Sequence, residues 1–205
     1  MIKLVLEVKP LTVHTEMAWI TYPMLLDLIR KVSTILFVIT PVNYEYAVSV
    51  LGFRGSLEEF SDKLTEIYGT LAKYAEMQLH IHLSLFPELL SRDVKENMIV
   101  SALEWGSERG FRFSKVVFGW WKYDKAVEDI CNSLGLKIVK RGEYPHIHDY
   151  DLLYLKENQV LRRALKTRSI PFILFRFLTE QAAWILFFIK NKQLKDYIAK
   201  CAYME

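Results

Sequence analysis

Short apolar, β-branched runs alternate with helical patterns along most of this chain, and that alternation restricts the fold more than any other feature. Thr34-Ile35-Leu36-Phe37-Val38-Ile39-Thr40 is continuous and stopped by Pro41, as expected of a strand buried on both faces. Further runs of strand length lie at Ile2–Val8, Met77–Leu83, Lys115–Phe118 and Leu136–Lys140. Between them, Thr21-Tyr22-Pro23 opens a stretch that puts Leu25, Leu28, Ile29 and Val32 on one face, proline being tolerated at the first helical position. Residues 42–55 read as an irregular, aromatic connection. Ser56-Leu57-Glu58-Glu59 has the form of a capping box. Behind it Leu57, Phe60, Leu64, Ile67, Leu71 and Tyr74 recur at helical spacing. A third helix is expected from about Asp93 to Arg109, closed by Gly110. A fourth is capped by Asp124, carries Val127, Ile130, Cys131 and Leu134, and ends at Gly135.

Strands alternating with helices argue for a parallel sheet in an α/β fold. No glycine-rich βα turn is present, which favours a closed or nearly closed barrel over an open sheet. No repeat or linker divides the chain, so residues 1–205 are expected to form a single domain, with a C-terminal helical segment at about 158–205. At 205 residues, 52% apolar and 25% charged, the chain can bury a sizeable core, and disorder, collagen and disulfide scaffolds are excluded. Cys131 and Cys201 are too few and too far apart for a disulfide framework, which points to a reducing compartment. Glu7, Lys9 and Pro10 interrupt the apolar start before a secretory core could form, so a cytoplasmic protein is expected.

The net charge of +3 is too small to argue for nucleic acid. Residues 151–205 nevertheless hold ten Lys/Arg against five acids. The apolar stretch Ile170–Ile189 has Arg176, Thr179, Glu180 and Gln181 near its middle, each costly in hydrocarbon. Its aromatic residues (Phe172, Phe175, Phe177, Trp184, Phe187, Phe188) are read as barrel-closing helices or a dimer interface rather than a membrane contact, which leaves a homo-oligomer open. Arg162, Arg163, Lys166 and Arg168 read as a solvated helix face.

The histidines carry the chemical information. They fall in three clusters: His14-Thr15-Glu16, His80-Ile81-His82 and His146-Ile147-His148-Asp149. Alternate residues of an extended chain point to one side, so each cluster can aim two side chains at one point. About 0.1 histidine pairs at separation two are expected by chance, and two are present. Imidazole and carboxylate are the usual ligands of zinc and related divalent metals. Parallel-barrel proteins gather their chemistry at the carboxyl ends of strands, where His80 and His82 are expected.

Read in order, these segments resemble the NodB-like polysaccharide deacetylases. Thr12-Val13-His14-Thr15-Glu16 with Tyr22-Pro23-Met24 looks like that family's first motif, and Glu76-Met77-Gln78-Leu79-His80-Ile81-His82 its second. Val117 to Asp124, including Gly119-Trp120-Trp121, is similar to the third, and Ile147-His148-Asp149-Tyr150-Asp151 to the last. The resemblance covers about residues 10–155. It implies a distorted (β/α)7 barrel and a metal-dependent hydrolase that removes an acyl group from an amino-sugar or related amide, a carbon–nitrogen bond other than a peptide bond. By the same resemblance Glu16, His80 and His82 would hold the metal and His148 would be the general acid. Trp120 and Trp121 would line the substrate groove, with His146 beside them. His14 falls where the family has its catalytic aspartate, and reads as a base, a fourth ligand or a sign of altered activity. The family's second metal histidine often falls at the position of Ser84, so His82 must replace it. The third motif lacks its Arg and Pro, and the fourth is not found. Two other readings use the same residues: a degenerate barrel that binds sugar or metal or serves assembly, and a metallophosphoesterase.

Overall fold

A two-residue period decides which side of the sheet each side chain occupies. The computed structural model describes residues 9–152. Along them run β1 (Leu11–Thr15), α1 (Ala18–Ile29), β2 (Thr34–Val38), a 3-10 turn (Pro41–Asn43), α2 (Tyr44–Ser49), α3 (Leu57–Leu71) and β3 (Glu76–Ile81). There follow a second 3-10 turn (Pro87–Leu89), α4 (Arg92–Glu108), β4 (Lys115–Phe118), a third such turn (Gly119–Trp121), α5 (Lys125–Ser133), β5 (Lys137–Ile138) and β6 (His146–His148). All six strands are parallel, in the order β5-β4-β3-β2-β1-β6.

Leu11 and Val13 of β1, Leu36 and Val38 of β2, Met77 of β3 and Ile147 of β6 pack with α1 and α3. Leu79 and Ile81 of β3 and Val116 and Phe118 of β4 pack with α4 and α5. The alternate residues face the other way: Ile35 and Phe37 meet Val117, Val139, Trp121 and Tyr144 in a separate cluster, and the histidines lie beside it. Helices thus cover one face, and the other encloses a small interior.

The sheet is curled. His14 and His80 stand on strands separated by β2, yet their ring centroids are 4.9 Å apart. Neighbouring strands are about 4.8 Å apart, so flat strands would hold these two roughly twice that distance from each other. The connection from β5 to β6 agrees. In a flat sheet those edges would be about 24 Å apart, near the full reach of about 25 Å for seven residues. Residues 139–145 instead include a turn closed by the Glu143 N–H on the Lys140 carbonyl.

The capping box is present, with the Glu59 N–H on Ser56 Oγ at 3.1 Å and the Ser56 N–H on Glu59 Oε2 at 2.6 Å. Asp124 caps α5 through the Val127 N–H, and Gly110 and Gly135 take the left-handed conformation just past α4 and α5. Cys131 is a buried free thiol, pushed by burial up to about 12.

Several expectations need correction. The first described strand is Leu11–Thr15, whose Thr12, His14 and Thr15 obscure its apolar alternation; Ile2–Val8 lies outside the described residues. Helix α1 begins at Ala18, so Pro23 sits inside it rather than at its start. Its entrance is held by a carboxylate from another part of the chain: the Met17 N–H donates to Asp149 at 2.8 Å. Residues 42–55 are not wholly irregular, because Tyr44–Ser49 is helical. The expected parallel α/β architecture is present, and among the described residues the strand pairing runs from β5 to β6 without joining those two edges. The segment 158–205, with the readings placed on Ile170–Ile189, on Arg162–Arg168 and on Cys201, lies outside the described residues. Among the described residues no helix is long and apolar enough to cross a membrane.

Candidate metal centre

The alternation that sends Val13 to the helices sends His14 inward, and Glu16 emerges on the same side just past the end of β1. His80 and His82 repeat this on β3, and His146 and His148 on β6. The register completes the arrangement, because β6 pairs with β1 so that His148 lies opposite His14. All three sequence clusters therefore meet at the carboxyl ends of β1, β3 and β6.

Three donor atoms converge there. Glu16 Oε1 is 3.4 Å from Nε2 of both His80 and His82, and those two nitrogens are 2.8 Å apart. The three residues are 4%, 1% and 3% exposed, which removes them from competing bulk water. Glu16, His80 and His82 form a group able to hold a metal ion. Size is the relevant test. A point in the plane of these three atoms lies about 1.9 Å from each, slightly inside the zinc–nitrogen and zinc–oxygen distances of about 2.0–2.2 Å. An ion of that size therefore fits with all three donors on one side of it. Nδ1 of His80 and Nδ1 of His82 are buried and have no hydrogen-bond partner, so each ring directs its only partnered nitrogen at the shared point.

Charge on these groups follows from burial and proximity. Burial pushes the Glu16 carboxyl up, but the imidazoles of His82, His148 and His80 outweigh it and hold the group well below the usual carboxylate range. Burial drives His80 down to about 4 despite the neighbouring Glu16 carboxylate. His14 is held well below the ordinary imidazole value, first by burial and then by His80, His148 and His146. At neutral pH Glu16 is therefore an ionised carboxylate and His80 a neutral ring, the protonation states in which such groups bind metal.

The other singled-out residues surround this group. His148 Nδ1 is 3.1 Å from Glu16 Oε1, and Tyr150 stacks on the His148 ring at 4.8 Å. His14 lies 5.0 Å from His148 and 5.3 Å from His146, ring to ring, and its buried Nε2 has no partner. His146 is two pairs deeper along β6, opposite Thr12. Trp120 turns its edge to His82 at 4.7 Å, while Trp121 lies against His14 and His146 at 5.6 and 5.3 Å. Both tryptophans take the left-handed backbone conformation, with φ of 54° and 58°. Bulky residues rarely do so, at about 1–3 kcal/mol each. Ser84 is not turned to this use: its buried Oγ accepts the Phe86 N–H.

Four supporting residues had no role assigned from the sequence. Tyr46, on α2, donates to Glu16 Oε2 at 2.9 Å and stacks on His82 at 3.9 Å. Asn43 donates to the His82 carbonyl at 3.0 Å. Gly119 lies so close to His82 that a Cβ there would meet Nδ1 at 2.1 Å. Asp149 is fully buried and accepts the N–H groups of Glu16 and Met17 and the Thr21 hydroxyl. Burial pushes its carboxyl up to about 7, with Glu16 adding to the rise against the pull of those three donors. Asp149 and Gly119 gave a sequence signal, by adjoining His148 and the Trp120-Trp121 pair.

No protein-family model matches the chain, and no curated protein matches it. Among solved structures it is similar to a family 4 carbohydrate esterase from Streptomyces lividans in complex with acetate, at 10% identity and a TM-score of 0.46. The match covers 64% of this chain and 61% of that one, so this chain spans about three-fifths of the length of its structural neighbour.

Proposed function

We propose that Glu16, His80 and His82 hold a divalent ion, zinc by the chemistry of the donor set, and that the chain is a cytoplasmic, metal-dependent hydrolase of the deacetylase type. Its substrate on this reading is an acylated amino-sugar or related amide. The convergence of one carboxylate oxygen and two imidazole nitrogens from distant strands carries the proposal. The one-sided helix layer and the cyclic strand order, cut between β5 and β6, support a barrel as its frame.

A bound ion would supply Lewis-acid polarisation of an acyl carbonyl and would acidify water. The chain supplies the remaining functions. His148 donates its Nδ1 proton to Glu16 Oε1, which fixes the tautomer and leaves Nε2 to take up a proton and deliver it to the leaving amine. The Glu16 carboxylate stabilises the imidazolium that results. His14, kept neutral by burial, has a buried, unpartnered Nε2 whose lone pair could serve as a base or as a fourth ligand. On this reading the half-buried indoles of Trp120 and Trp121 would meet the sugar ring, with His146 against Trp121.

One observation favours a second reading, a degenerate barrel that binds metal or sugar without turnover. Asp149 is committed to three donors and Asp151 accepts the His148 N–H at 2.8 Å, so both of these neighbouring acids are engaged in holding the frame. Elemental analysis of purified protein, with acetate release from N-acetylated sugars with and without chelator, tests the hydrolase. Stoichiometric metal with chelator-sensitive acetate release is expected. Metal without release would support the scaffold, and phosphate release from an aryl phosphate with more than one metal per chain would support a phosphoesterase.

A further inference from the structure

Among the residues that touch the metal group without belonging to it, Tyr46 contacts two of the three. Its hydroxyl donates to Glu16 Oε2 at 2.9 Å, and its ring lies parallel to His82, 3.9 Å between centroids and 17° between planes. The hydroxyl occupies the Glu16 oxygen that faces away from the histidines. The other oxygen, Oε1, is the one directed at His80, His82 and His148. A carboxylate left to itself binds a cation through one oxygen or both, and the second oxygen occupies a coordination position. Tyr46 is buried, and the helix that carries it is fixed at its start by Asn43, which bonds the His82 carbonyl. The hydroxyl cannot swing away without disturbing the ring stack.

We infer that Tyr46 is a positioning residue that holds Glu16 in one-oxygen coordination and thereby keeps a position on the ion open for substrate. The inference rests on the metal site proposed above and extends it, since three protein donors and an open position distinguish catalytic from structural sites. Partners of this kind, which orient a ligand without touching the ion, typically change metal affinity by roughly tenfold to a hundredfold when removed.

The test is a cobalt(II) titration of the full chain and of Tyr46→Phe, followed by visible absorption and by cobalt retained after gel filtration. The phenylalanine keeps the ring on His82 and removes only the hydroxyl. The wild type should show the intense ligand-field bands of a low-coordinate site. The variant should bind roughly tenfold to a hundredfold more weakly, and its bands should weaken as the released Oε2 raises the coordination number. Equal affinity and unchanged bands in the variant would overturn the role of Tyr46. A wild type that neither develops bands nor retains cobalt would overturn the metal site instead.

Discussion

Gly119→Ala is the substitution whose effect the structure specifies most closely. The glycine does not have a left-handed backbone, so alanine meets no conformational strain there. Its Cβ, however, would stand 2.1 Å from His82 Nδ1 and 2.5 Å from Cγ and Cε1. Ordinary Cβ contacts begin near 3.4 Å, so the imidazole must retreat by about 1.3 Å, whereas metal–ligand distances tolerate about 0.2 Å. Retreat is opposed by the Tyr46 ring stacked at 3.9 Å and by the Asn43 bond to the His82 carbonyl. The forced fit should cost about 1–3 kcal/mol of stability and displace a ligand. Metal affinity should then fall by more than about a hundredfold, beyond what loss of a supporting residue causes. Gly110→Ala is the control. It lies in the left-handed region at φ +77 with nothing within 4 Å, so it should cost about 1–2 kcal/mol through backbone strain alone and retain the ion. Urea denaturation and bound metal after dialysis measure both effects. Wild-type affinity in Gly119→Ala would remove His82 from the ligand set. Equal loss in both variants would mean that the site responds to global stability and not to the ring.

Three other outcomes are expected. His80→Ala should abolish metal binding, whereas His148→Ala should keep the metal and lose acetate release; equal metal content in wild type and His80→Ala would end the ligand assignment. Burial holds His80 at about 4 and His14 well below the ordinary imidazole value, so both lone pairs survive acidification. The His80 ring of the metal-free protein should therefore stay neutral as pH falls through 6.5 and take up a proton only toward pH 4, as read from its ring-proton NMR shifts; a His80 titration centred near the ordinary imidazole value of about 6.5 would contradict this. Asp149→Asn presents an amide N–H₂ to a site built of donors from Glu16, Met17 and Thr21. It should cost about 2–4 kcal/mol in urea denaturation, and a change below about 0.5 kcal/mol would show that those bonds do not hold β6 to the start of α1.

Much of the frame was legible from local pattern. The run Thr34–Val38, the box at Ser56–Glu59, the cap at Asp124 and the stops at Gly110 and Gly135 each express a rule that acts within a few residues, and each stands where that rule puts it. Misreadings arose where a distant group replaced a local one. Helix α1 starts five residues before Pro23, because its N-cap Met17 makes no side-chain cap and Asp149 supplies the acceptor. Helix α2 was hidden because six residues hold too little periodicity to recognise, so Tyr46 was hidden with it. At the ends of the α3 stripe, Leu57 and Tyr74 are exposed, the latter under the Arg30 guanidinium.

By itself the sequence determined which side chains share a side: the two-residue period of an extended backbone makes companions of His80 and His82, and of His146 and His148, whatever surrounds them. Tertiary structure alone decided that these pairs face each other and Glu16. That outcome depends on the register of β6 against β1 and on the curl that brings β1 and β3 together across β2. Both arise from packing the helices on one face and filling the narrow interior on the other, interactions between residues far apart along the chain that no local spacing encodes.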